Sequence, residues 1–116
     1  MHAYEIPNLR FSMPAGAEVL RNHFVSIASD KAITATASSV VIGASMNEVT
    51  AAEVEAGERI VEIADGIVMV VAAGAITAGA KVYSNASGEA TATGTDAVGV
   101  AITSAAAAGQ LVAVKL

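Results

Sequence analysis

The sequence predicts an all-β protein: a small, partly open β-barrel of about seven to nine short strands with an extended N-terminal arm. Three observations predict it. Apolar and small polar residues alternate with a period of two, and β-branched residues dominate the apolar positions. Turn signals recur about every ten residues. Ala-Gly pairs also stand shortly before a strand pattern at four places: Ala15-Gly16 before Val19, Ala56-Gly57 before Ile60, Ala78-Gly79 before Val82, and Ala108-Gly109 before Val112. Glycine admits backbone angles closed to other residues, so each pair reads as a corner that turns the chain into a strand. The spacing of the four corners is irregular, which argues against a solenoid repeat.

Residues 1–20 differ from the remainder and are expected to form the arm, with the barrel domain over 21–116. Pro7 and Pro14 interrupt regular structure, while Tyr4, Ile6, Leu9, Phe11 and Met13 supply apolar surface. A free terminus is ordinarily polar, so an apolar one suggests a segment that docks on a neighbour. The other reading is that it folds back over its own barrel.

The strands follow in order. HFVSIA sets Val25 and Ile27 on one face and Ser26 on the other, and KAITAT continues the pattern around Ile33. VVIGASM carries Gly43 inside a strand, the mark of a bulge or a close backbone approach. Thr50-Ala51-Ala52-Glu53 has the form of a capping box and marks the one candidate helix, ending near Gly57. ERIVEIA places Val61 and Ile63 opposite Glu62. Asp65-Gly66 then predicts a hairpin between 58–64 and 67–72. GIVMVVA is apolar on both faces, as in a strand covered on both sides. Lys81-Val82-Tyr83 leads into the polar reversal Asn85-Ala86-Ser87-Gly88. AVGVAIT aligns Val98, Val100 and Ile102, SAAAAG is a connector too short for an unaided helix, and QLVAVKL aligns Val112, Val114 and Leu116.

The core material is light. Alanine supplies 27 residues and valine 15, against two Phe, two Tyr and no Trp. Alanine buries far less area than valine or isoleucine, which gain roughly 1.5–3 kcal/mol each on full burial. A thin core is therefore expected, with assembly adding stability.

Composition excludes several chemistries. Without cysteine there is no disulfide framework or thiol nucleophile. The net charge of −5 disfavours nucleic acid, and no segment has the length and apolarity of a membrane span. The first residues lack the basic start and apolar run of a secretion signal. His2 and His23 have no partner at zinc-ligand spacing, so neither a metal nor a cofactor is expected. Ser26, Ser29 and Ser45 show no sequence relation to a base. The acidic run Glu48, Glu53, Glu55, Glu58, Glu62 and Asp65 is expected to be a solvated face and matches no calcium loop. Neither catalytic residues nor a phosphate loop emerges.

One stretch carries more information. GIVMVVAAGAITAGAKVYSNASGEAT followed by AVGVAITSAAAAGQLVAVKL resembles the capsid decoration, or cement, proteins of tailed bacteriophages. The likeness rests on Ala78, Gly79, Val82, Tyr83, Gly88 and Thr91, then Val98-Gly99-Val100-Ala101, and the terminal Ala108-Gly109 with Val112, Val114 and Leu116. It implies a non-enzymatic virion protein, made in the host bacterial cytoplasm, that binds the outer capsid surface and bridges capsomers. The implied partners are the major capsid protein and further copies of the chain, a homotrimer being favoured. In that setting Tyr4, Ile6, Leu9 and Phe11 become the expected contacts to the capsid or a neighbouring subunit. A rival reading is a small β-clip-type ligand- or assembly-binding module, suggested by AITAGAKV. Such modules usually lie within longer chains.

Overall fold

The structure, a computed structural model, describes residues 6–57 and 59–116. It is one open, curled half-barrel sheet. Nine strands build it: β1 (Ile6–Pro14), β2 (Phe24–Ala28), β3 (Lys31–Thr34), β4 (Gly43–Ser45), β5 (Ile60–Val71), β6 (Lys81–Ser84), β7 (Ala90–Thr91), β8 (Gly99–Ala101) and β9 (Leu111–Lys115). Eight run in the order β3-β2-β4-β5-β9-β8-β6-β7, with β1 paired to β5, and every strand pair is antiparallel. The one helix among the described residues is α1 (Ala51–Ala56). It starts where the capping box predicts: Thr50 Oγ1 accepts from the Glu53 N–H, and Glu53 accepts from the Thr50 N–H.

The strand order is palindromic, and the cause is an internal repeat. The first half, β1 to the start of β5, and the second half, the end of β5 to β9, are hydrogen-bonded alike. Ala15 N–H donates to Arg59 O (2.9 Å) as Ala72 N–H donates to Gln110 O (2.8 Å). Ile42 N–H reaches Val25 O (2.9 Å) as Val98 N–H reaches Val82 O (2.8 Å). Met46 N–H reaches Glu62 O as Ile102 N–H reaches Ala113 O, both at 2.8 Å. Isolated bridges match as well: Ala15 with Ala32 and Ala72 with Ala90 are parallel, while Val19 with Val49 and Ile76 with Ala105 are antiparallel. The Ala-Gly corners do not mark this repeat. Gly79, at φ 88°, has Asn22, at φ 60°, as its counterpart; asparagine is among the few side chains that tolerate the left-handed region.

β5 is shared by both halves, and here the structure corrects the sequence reading. Asp65-Gly66 is no hairpin turn; the strand runs through it from Ile60 to Val71. Its first part is engaged by β1 and β4 and its second by β9, so partners hold both sides of the dipeptide extended. A register shift between Pro7 and Leu9 absorbs the irregularity opposite Asp65 and Gly66. Before this point both faces of β5 are buried, Val61 and Ile63 in one cluster and Ala64 in the other; after it Val68 and Val70 continue the cluster of Ala64.

Two cores result. Val19, Val25, Val49, Val61 and Ile63 form the first half's own core, with Phe11, Met13, Ile42 and Val54 packed on it. The matching residues of the second half, Ile76, Val82, Ala105, Val112 and Val114, form the other. Onto that second core packs the opposite sheet face of the first half: Phe24, Ala44 and Ala64, cross-strand neighbours in one row. The halves thus stack face onto core. The core is thin, as composition predicts: among the described residues Phe24 is the one aromatic that is fully buried, and nearly all the others are valine or alanine. Ile27 departs from the sequence reading. Val25 is fully buried, but Ile27 lies toward the end of β2, beyond the core, and is 48% exposed. GIVMVVA is likewise buried only at alternate positions, Gly66, Val68, Val70 and Ala72, with Ile67, Met69 and Val71 half-buried.

Candidate interaction surfaces

The hairpin tip after β6 turns as its residues predict. Asn85 Oδ1 accepts from the N–H groups of Ser87 and Glu89, and Asn85 N–H donates to Glu89 O at 3.0 Å. The tip also joins the halves. Gly88 O accepts from Phe24 N–H at 2.7 Å, and Glu89 lies 3.9 Å from His23 Nε2.

His23 is buried, and its polar contacts are structural. Nδ1 is 2.9 Å from Arg21 O, and its backbone N–H donates to Ser45 Oγ at 3.1 Å. Ser45 Oγ in turn donates to the Leu20 carbonyl. Serine and imidazole are therefore near in space, yet the hydroxyl is engaged with backbone rather than with the ring, which is not the arrangement of a nucleophile and its base. Among the described residues, no group of three or more His, Asp or Glu side chains is placed to hold a metal ion.

Two shallow, adjoining clefts open where equivalent loops of the two halves meet. One, of about 340 Å³, lies between Ser38–Val41 and Asp96–Val98. The other, of about 540 Å³, extends to Asn85, Thr91 and Thr93. The polar atoms facing them include several already committed: Ser39 Oγ to Thr36, and Asn85 to its own turn. At the lip stands Val40, 79% exposed.

The expected arm contacts are placed as follows. Tyr4 lies outside the described residues. Ile6 is opposite Ile67 at the start of β1. Leu9 is opposite Asp65, at the register shift, and is 56% exposed. Phe11, opposite Ile63, is half-buried and packs with Met13 against the first half's core. The residues thus divide: Leu9 presents apolar surface outward, and Phe11 is spent largely on the chain itself.

A further apolar surface lies on the second half. The sequence pattern aligns Val98, Val100 and Ile102, but Val98 packs on the core while Val100 and Ile102 are 42% and 47% exposed. They lie on the outer sheet face of the second half, together with Leu111 and Ile67. Alternation in AVGVAIT could have separated Val100 and Ile102 from Gly99 and Ala101; it could not say which face lay inside.

Acidic residues concentrate around α1. Arg59 lies 2.6 Å from Glu53. Hydrogen bonding from the Thr50 backbone N–H, with the Arg59 charge assisting, holds the Glu53 carboxyl below its ordinary value. Glu48, Glu55 and Glu62 are exposed.

Comparison with known proteins bears on both fold and role. A family profile described as phage cement protein matches residues 6–116. The N base of the head fiber protein gp8.5 of bacteriophage phi29, a crystal structure, superposes with a TM-score of 0.73 at 19% identity, covering 93% of this chain and 92% of that one. No curated protein sequence matches.

Proposed function

The chain belongs to the phage cement protein family, and from that premise we propose that it binds the outer surface of a phage capsid and stabilises the shell by bridging neighbouring capsomers. Membership makes it a phage structural protein associated with the capsid. The finer reading adds how it does this: by contact and not by catalysis, as one subunit of a homo-oligomer, a trimer being favoured, with the major capsid protein as partner. The family match across almost the whole described chain is the observation that carries it. Two features support it. Of the polar groups nearest to catalytic form, Ser45 Oγ donates to the Leu20 carbonyl and not to the His23 ring, whose Nδ1 is engaged with the Arg21 carbonyl. Aliphatic side chains also stand exposed on the surface, Val100, Ile102 and Leu111 together on the outer face of the second half.

In this reading residues 1–20 act as the arm, with Tyr4, Ile6, Leu9 and Phe11 contacting capsid or a neighbouring subunit. Many copies, each adding modest contact, convert weak single affinities into strong retention on a symmetric shell. Synthesis takes place in the cytoplasm of the bacterial host. The test is co-sedimentation of the purified protein with empty expanded capsids, together with its mass by light scattering. Saturable binding that raises the temperature of shell disruption is the expected result. A protein that remains in the supernatant at all concentrations defeats the proposal.

A further inference from the structure

The internal repeat identifies a surface that the fold leaves uncovered. In the first half the row Ala64, Ala44, Phe24 is fully buried, because the second half's core packs on it. In the second half the equivalent row is Lys115, Val100, Lys81, continued across β5 by Ile67. Cross-strand partners point to the same side of a sheet, so these side chains share one face. Among the described residues no element packs on it as the second half packs on the first: Lys81 and Lys115 are exposed, and Val100, Ile102 and Leu111 keep 42%, 47% and 39% of their surface.

We propose that this outer face of β6, β8 and β9 is where a second copy of the chain docks, head to tail, with the acidic end of its first half. Two observations select that occupant. The first is the chain's own precedent: the same face of the same supersecondary unit is already covered once, by another such unit. The second is charge. Two of the three lysines of the chain frame the apolar stripe, while Glu48, Glu55 and Glu62, three of the exposed carboxylates of a chain of net charge −5, fall in the segment of the first half that holds α1. Glu62 shares its strand with Ile60, 51% exposed, so the acidic end also offers apolar surface. α1 explains why the contact is an end-on docking and not a continued stack. The segment from Val49 to Ile60 is longer than its counterpart from Ala105 to Leu111; its extra residues form α1, whose Val54 closes the first half's core. A head-to-tail contact uses two different patches, so repetition closes a ring or grows a chain.

The inference rests on the self-association proposed above and names its surface. The test is sedimentation equilibrium of the full chain across a hundredfold concentration range. The wild type is expected to be an oligomer that dissociates as salt rises, since the lysine–carboxylate contacts are screened. Val100→Glu with Ile102→Glu is expected to weaken association at least tenfold and leave a folded monomer, as is Lys81→Glu with Lys115→Glu. Val40→Glu, on the cleft lip, is expected to change nothing. Mixing the Lys81→Glu/Lys115→Glu protein with an Glu55→Lys/Glu62→Lys protein is expected to restore a mixed oligomer. A monomeric wild type overturns both the surface and the self-association. An oligomer indifferent to the Val100, Ile102 and lysine substitutions overturns the surface alone.

Discussion

Gly99 occupies in the second half the place that Gly43 occupies in the first, and each lies against a carbonyl of the next strand. A Cβ would stand 2.4 Å from Ala64 O at Gly43 and 2.4 Å from Lys115 O at Gly99. Both contacts are backbone and cannot swing aside. Gly43→Ala and Gly99→Ala are each expected to cost about 1–3 kcal/mol, the usual range for overpacking, and by similar amounts. Urea unfolding of the two variants checks this. A neutral effect at either site would show that β4 or β8 can shift away from its neighbour.

Phe24 is the largest side chain at the junction of the halves. It belongs to the first half but is buried in the second half's core. Its counterpart in the second half is Lys81, which is exposed. Phe24→Ala is expected to cost about 3–5 kcal/mol. A marginal thin-cored domain has little more than that to lose. Thermal unfolding followed by circular dichroism should show a large fall in midpoint. A loss of less than about 1 kcal/mol would mean the halves are held together by backbone pairing through β5 and not by this contact.

The sequence made the strands legible because alternation and turn residues are local signals. β2, β6 and β9 lie where FVSIA, KVYS and LVAVK place them, and the Thr50 capping box starts α1. What it concealed depends on partners far away in the chain. Asp65-Gly66 is a good turn by composition, but β1, β4 and β9 hold it extended. The repeat was hidden for a related reason. Val25 and Val82, or Gly43 and Gly99, are the same residue type in both halves, but Phe24 answers to Lys81 and Ala64 to Lys115, because one row is covered and the other faces outward. The extra segment holding α1 then shifts the register of everything after it. Of the surfaces, the arm stood out by composition. The outer face of β8 did not, since Val100 and Ile102 look like core until the neighbouring strands are known.

The N-cap of α1 can be tested apart from the rest. Thr50 Oγ1 accepts from Glu53 N–H at 3.2 Å, and Val54 is the one residue of α1 that packs on a core, so the cap carries much of what holds this short helix. Thr50→Ala is expected to cost about 0.5–2 kcal/mol of stability, and Thr50→Ser much less. Equilibrium denaturation of the two variants measures the difference. Equal stabilities would indicate that α1 is already frayed in solution.

Acid should act on the same helix through Glu53. Its carboxyl is held below the ordinary 4.5 by the Thr50 N–H and the Arg59 guanidinium. The ionised form is thus favoured in the folded state. Its contribution is present above pH 4.5 and is lost as pH falls through the lowered folded-state value. Glu53→Gln should therefore flatten the acid limb of the stability profile while changing its shape little above neutrality. Denaturation midpoints of both proteins between pH 3 and 7 provide the check. Parallel acid limbs would assign the pH dependence to other carboxylates.

The arm offers two aromatic or aliphatic residues with opposite expected behaviour. Leu9 is 56% exposed opposite Asp65, so Leu9→Ser removes apolar surface without opening a core or setting a second carboxylate across from Asp65. Its midpoint of thermal unfolding should stay near that of the wild type, while binding to expanded capsids in co-sedimentation should weaken at least tenfold. Such a loss is about 1.4 kcal/mol or more, within the range of one interface anchor. Phe11 instead packs on Val25, Val61 and their neighbours in the first half's core. Phe11→Ala should lower stability and impair binding only in proportion to the unfolded fraction. The pair separates a docking role from a structural one. Binding unaffected by Leu9→Ser would remove Leu9 from the capsid contact. Binding lost by Phe11→Ala in a protein that is still fully folded would move Phe11 into it.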